Sequence, residues 1–231
     1  VTELNGGASN FYVCDNTQGL ETLGLQGNWD GAISFLQVKW GTEFLLEGDG
    51  YANWNELPKA DFNPDAANIG HLHAEFSWPG APAVVNIDNQ GTALGTTSTG
   101  GDRPLEVASI TVNNAVSLVI NVADGDAILN DLQGDMVESL TLTSANDVTV
   151  RGDLFFGGEL GSIDAAPNAN GEGGVSGIFA IELTEDRLTD LSDVALAGVE
   201  QIVFANDGAD NALTLTVDQA HDLVGKEGHV Q

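Results

Sequence analysis

Apolar and polar residues alternate in short bursts along this chain, and one burst recurs. Val107-Ala108-Ser109-Ile110-Thr111-Val112, Val137-Glu138-Ser139-Leu140-Thr141-Leu142 and Val199-Glu200-Gln201-Ile202-Val203-Phe204 carry apolar residues at alternate positions. Looser copies are Leu160-Gly161-Ser162-Ile163-Asp164, Ile178-Phe179-Ala180-Ile181-Glu182-Leu183 and Leu20-Glu21-Thr22-Leu23-Gly24-Leu25. A period of two is that of a strand with one face in a core and the other in water. Aligned on the middle Ile or Leu, the copies after 107 lie about 20 to 30 residues apart, the range of solenoid repeats. Such short strands cannot bury their apolar faces alone, whereas stacked coils bury them together. The pattern predicts an all-β chain whose residues 101–231 form a parallel β-solenoid of about five coils.

Residues 1–100 form a β-rich section of different composition, with all four Trp (Trp29, Trp40, Trp54, Trp78) and both Tyr. This section is either another β-domain or the irregular start of the same solenoid. Strand-like runs fall at 11–14, 21–26, 32–38, 42–46, 71–78 and 83–87, separated by Gly/Asp/Asn turns. Residues 52–69 read as a longer loop, and 90–103, rich in Gly, Thr and Ser, as a linker. Beyond it, 117–122 and 147–150 supply second strands to their coils. Residues 165–177 are a Gly/Asn-rich excursion. Leu188 and Leu191, three apart, predict a short helix within 183–194. A last strand is expected over 212–217, then a helix over 218–224 stopped by Gly225.

Charge changes the picture. Six Lys+Arg against 35 Asp+Glu give a formal net charge of -29, spread along the chain rather than gathered in a tail. Nucleic acids and anionic membranes are repelled by such a molecule. Divalent cations relieve its self-repulsion, which makes Ca²⁺ the expected cofactor; adaptation to a saline habitat explains the same composition. Cys14 is the only cysteine, so no internal disulfide forms. No apolar run reaches the roughly 18 residues of a membrane span. The chain does not begin with Met, which suggests a processed protein or a fragment.

The C-terminal pattern adds a resemblance. Leu196-Ala197-Gly198-Val199-Glu200-Gln201-Ile202 leads into a short strand, then Asn206-Asp207-Gly208-Ala209-Asp210-Asn211, then Leu213-Thr214-Leu215-Thr216 and a helical phrase. It resembles the repeats of large bacterial surface proteins exported by type I secretion, the S-layer proteins and RTX-type adhesins. The resemblance covers roughly residues 107–225. It implies a Ca²⁺-stabilised β-solenoid, assembly at the cell surface and no catalysis. The strict RTX nonapeptide is absent; its nearest fragments are Gly100-Gly101-Asp102 and Gly48-Asp49-Gly50. Isolated ions at coil corners are therefore expected rather than one per turn.

Candidate ligands are the acidic corners: Asp124, Asp126, Asp131 and Asp135 with Asn130, then Asp153, then Asp207, Asp210 and Asn211. Ca²⁺ takes six to eight oxygens, and Asp/Asn/Gly turns supply them; the same residues are also ordinary turn formers. Asp61-x-Asn63-x-Asp65 matches the start of an EF-hand loop but lacks its glycine (Ala66) and its final glutamate (Leu72). His71, His73 and Glu75 share a strand face and could ligate a transition metal, although a solvated face is the simpler reading. Cys14 has no visible catalytic partner, and no nucleophile elbow or P-loop is present. The Trp residues suit either a packed core or a sugar-stacking surface, and Arg151-Gly152-Asp153 reads as a chance match to a cell-attachment tripeptide.

The expectation is a non-enzymatic, structural, self-assembling extracellular or cell-surface subunit, a homo-polymer stabilised by Ca²⁺. The alternative is an adhesin or carbohydrate-binding module that recognises a cell-surface glycan, and the third reading is a polysaccharide-active enzyme.

Overall fold

The structure, a computed structural model, describes residues 9–12, 20–26, 29–47, 69–88, 105–123, 126–144, 146–156, 160–165, 179–183, 188–199, 201–204 and 212–225. The strands are β1 (Ser9–Tyr12), β2 (Thr22–Gln26), β3 (Trp29–Val38), β4 (Glu43–Glu47), β5 (Ile69–Phe76) and β6 (Ala81–Asp88). They continue as β7 (Leu105–Asn113), β8 (Ala115–Val122), β9 (Ala127–Gly134), β10 (Ser139–Ser144), β11 (Val148–Phe156) and β12 (Ser162–Asp164). The last are β13 (Phe179–Leu183), β14 (Leu188–Asp190), β15 (Ala195–Ala197), β16 (Gln201–Phe204) and β17 (Ala212–Thr214), followed by helix α1 (Val217–Gly225).

As far as β13, odd and even strands separate into two sheets, and β14 and β17 form a separate pair. One runs β1-β3-β5-β7-β9-β11-β13-β16 and the other β15-β12-β10-β8-β6-β4-β2. From β1 to β13 the chain alternates between them, and each strand pairs in parallel with the one two places on. Both sheets continue across residue 100: β5 pairs with β7 and β6 with β8, so the compositional boundary coincides with no break in either sheet. One rung in the second half is 21 residues, the separation of Asp126 from Asp147; the step from β5 to β7 is 38, as His71 to Ser109.

Parallel pairing in register turns the alternating pattern into columns. Inward in one sheet, Leu23, Phe44, Val85, Ile120 and Leu142 stack rung on rung. In the other, Ile33, Leu72, Ile110, Leu132 and Leu154 do the same. Phe44, Val85, Ile120, Leu72, Ile110 and Leu132 are fully buried between the sheets. Each buried aliphatic or aromatic side chain contributes about 1.5–3 kcal/mol. Phe44 bridges the layers, with its ring centroid 5.7 Å from Phe35 and 6.3 Å, edge-on, from Phe76.

The inward phase slips in the middle of the first sheet. In β7 the buried apolar positions step from Val107 to Ile110, and in β9 from Leu129 to Leu132. Asp131 takes a left-handed backbone (φ 43°) at that slip, and β11 shifts register between Arg151 and Leu154. An extra residue on one strand bends it and re-aims the side chains beyond the bend. This explains why 127–134 reads in sequence as an acidic corner although it forms β9: the slip at Asn130-Asp131 interrupts strict alternation, and Gly134 imitates a turn.

The far end departs from expectation. Instead of a helix within 183–194, Leu188–Asp190 is a strand paired with β17, and Ala195–Ala197 joins the second sheet. Asp190 accounts for the difference. Its Oδ1 accepts the Ser192 hydroxyl at 2.7 Å and the Ser192 N–H at 3.0 Å, a local turn that competes with helical bonding. Those two bonds, the hydroxyl first, hold the Asp190 carboxyl below its ordinary pKa. The expected last strand stops at Thr214, because Thr216 caps α1. Gln219 N–H donates to Thr216 Oγ1 and Thr216 N–H to Gln219 Oε1, a reciprocal capping box. Gln219 Nε2 also donates to the carbonyls of Leu191 and Val194, at 2.7 Å each, tying the helix to the turn before β15.

Candidate functional site

The turns between sheets gather along two edges of the stack. Asp126 precedes β9 on one edge and Asp135 follows it on the other. Eight intervening strand residues at about 3.3 Å each hold them more than 20 Å apart. Ca²⁺–oxygen distances are about 2.3–2.6 Å, so these two cannot share an ion.

Two of these carboxylates accept backbone N–H groups. Asp126 Oδ1 accepts the N–H of Asp147, its equivalent one rung on, at 3.1 Å. Asp135 Oδ1 accepts the N–H of Asn114 at 2.7 Å. Asp131 stands within β9 at the left-handed bulge, not at a turn, and Asp153 lies within the span of β11. Asp124, Asp207, Asp210 and Asn211 lie outside the described residues, as do Cys14 and the Asp61-x-Asn63-x-Asp65 segment. Among the described residues no three His, Cys, Asp or Glu side chains gather as a metal site would require.

His71, His73 and Glu75 alternate with buried Leu72 and Ala74, so they share the outward face. Ser109 Oγ lies 2.8 Å from His71 Nδ1, and Asn113 Nδ2 lies 3.1 Å from His73 Nε2. The histidines thus link β5 to β7 across the rung. Arg151 Nη1 sits 3.8 Å from Glu106 Oε1, which also accepts Asn130 Nδ2 at 3.1 Å. Arg151 therefore belongs to a part-exposed polar row across β7, β9 and β11, inside a strand rather than displayed on a turn. Such a surface pair is worth about 0–1 kcal/mol.

A different edge feature comes from the register of the strands. Trp40 and Trp78 are 52% and 63% exposed, which sets both apart from the packed core. They occupy equivalent turns, two residues beyond the paired Val38 and Phe76. Trp40 Nε1 donates to the Trp78 carbonyl at 2.9 Å. Met136, 38% exposed, lies on the same edge after β9. Asn114 stands between: its carbonyl accepts Gly80 N–H, and its Nδ2 donates to the Phe76 carbonyl at 2.9 Å. Gly41 (φ 79°), Gly80 (φ 103°) and Asn114 (φ 64°) supply the left-handed corners, a conformation that Gly and Asn tolerate best. The available signal was Trp40-Gly41 and Trp78-Pro79-Gly80, each an aromatic set beside turn formers just past a strand.

The fold and these edges define the class of protein: all-β, two parallel sheets, with polar ladders outside and apolar ladders between. No protein-family model matches the chain, and neither the curated proteins nor the solved structures yield a significant match. No helix among the described residues is long and apolar enough to cross a membrane.

Proposed function

We propose that the alternating path of the two sheets is a β-solenoid and that the chain is a structural subunit. It assembles with copies of itself into an extracellular or cell-surface layer, fibre or matrix. The observation that carries this reading is the state of the sheet ends. β1 and β2 terminate the two sheets at one end, β16 and β15 at the other, and no described strand pairs with their outer edges. An unpaired strand edge is a template for another chain, and a head-to-tail contact repeats without closing. Parallel sheets of this kind can continue from one copy into the next.

Charge sets the condition. Copies carrying -29 repel one another, so assembly needs their carboxylates screened or bridged. Ca²⁺ does this at exposed Asp and Glu without a dedicated cage, and Asp124, Asp207, Asp210 and Asn211 remain candidate ligands. The reading assigns no catalysis. Sedimentation velocity with negative-stain imaging, in millimolar Ca²⁺ and then in excess chelator, tests it. Reversible growth into regular assemblies with Ca²⁺ is the expected result. A monomer indifferent to both conditions would sink the proposal.

A further inference from the structure

We propose that the edge bearing Trp40 and Trp78 binds a neutral saccharide chain, which lays the C–H faces of its rings on the two indoles. This gives the glycan-binding alternative a specific site and stands apart from self-assembly at the sheet ends.

Four large hydrophobic side chains are exposed among the described residues, and three of them, Trp40, Trp78 and Met136, lie on this edge. Scattered apolar side chains on a surface need no explanation, but a cluster on one edge marks an interaction site. Trp40 and Trp78 are 38 residues apart in sequence and one rung apart in space. The bond from the Trp40 indole N–H to the Trp78 carbonyl fixes one ring against the next rung. A platform ordered before binding loses little entropy when a ligand arrives. With the Trp40 donor used inside the edge, that ring offers a ligand its face rather than a polar tip.

Charge selects the ligand class. The field of a -29 chain repels nucleic acid and acidic polysaccharide. A neutral saccharide escapes that repulsion. It brings apolar ring faces for the indoles and hydroxyls for the exposed Lys39 beside Trp40.

The test is affinity gel electrophoresis of the full chain through soluble neutral polysaccharides: hydroxyethyl cellulose, laminarin, dextran and galactomannan, with alginate as the anionic control. The proposal expects retardation by at least one neutral polymer and none by alginate. It expects Trp40→Ala/Trp78→Ala to weaken that binding about tenfold or more, and Trp78→Phe, which keeps an aromatic face, to retain most of it. Both indoles are exposed, so circular dichroism should show the variants folded. Absence of retardation in every neutral polymer overturns the proposal, as does a folded double variant that binds as well as the parent. It is equally overturned if the double substitution abolishes self-association in a chain that binds no saccharide, which would make the edge a contact between copies.

Discussion

Gly134→Ala should destabilise the protein while Gly24→Ala stabilises it, and the opposite signs come from where each glycine stands. Gly134 is buried at an inward position of β9, in the column of Phe35, Ala74, Val112 and Phe156. A Cβ built there would overlap Val137 Cγ2 and lie 2.9 Å from the Val112 carbonyl oxygen. Val137 is fully buried, and the Val112 backbone belongs to the β7–β9 ladder, so neither yields easily. Overpacking of this kind costs about 1–3 kcal/mol. It exceeds the gain of about 0.4–1 kcal/mol that Ala brings by restricting the unfolded chain. The net expectation is a loss of about 1–2 kcal/mol. Gly24 is exposed on β2 with nothing within 4 Å of its built Cβ, so only the gain of about 0.4–1 kcal/mol remains there. Urea unfolding of both variants beside the parent, compared by midpoint at a common slope, reads the difference. Shifts of the same sign, or an unchanged Gly134→Ala, would refute the packing of β9 between Val112 and Val137.

Ile120→Ala, fully buried in the middle of its column, should cost about 2–5 kcal/mol by the same urea assay. Gln219→Ala removes the capping box and both bonds to the Leu191–Val194 turn, a loss of about 1–2 kcal/mol. Hydrogen exchange should locate that loss in α1, with the β7–β10 amides unchanged. Thr42 Oγ1 is buried and finds no partner among the described residues. Thr42→Val should therefore be neutral or stabilising by about 1 kcal/mol, and a clear fall in melting temperature would count against the placement of that hydroxyl. Asp190, held below its ordinary pKa by Ser192, contributes stability that is present above the usual carboxylate range and lost as pH falls through its folded pKa. A carboxyl NMR titration should show its midpoint rise in Ser192→Ala.

How much could be read in advance depended on whether periodicity survived. The recurring phrases at 107–112, 137–142 and 199–204 mark β7, β10 and β16, whose Ile110 and Val112, Leu140 and Leu142, and Ile202 are buried. β9 shares its phase slip with β7 but was hidden because Asn130-Asp131 and Gln133-Gly134 around the slip imitate turns. The helix expected within 183–194 failed because the Asp190–Ser192 turn is stronger locally than a three-residue Leu spacing. Asp126 and Asp135 are near in the chain, yet a whole strand separates them. The reverse held for Trp40 and Trp78, 38 residues apart and joined by a hydrogen bond. Only the register of a parallel ladder brings such positions together, and that register is set by loop lengths that composition does not reveal.

The claim that the sheets continue from one copy into the next is tested most directly by X-ray fibre diffraction from aligned assemblies grown in Ca²⁺. Head-to-tail stacking predicts a sharp reflection at about 4.8 Å along the assembly axis, because strand spacing then repeats through every junction. Ordered assemblies with that reflection perpendicular to the axis, or Ca²⁺-grown material with no such order, would contradict it.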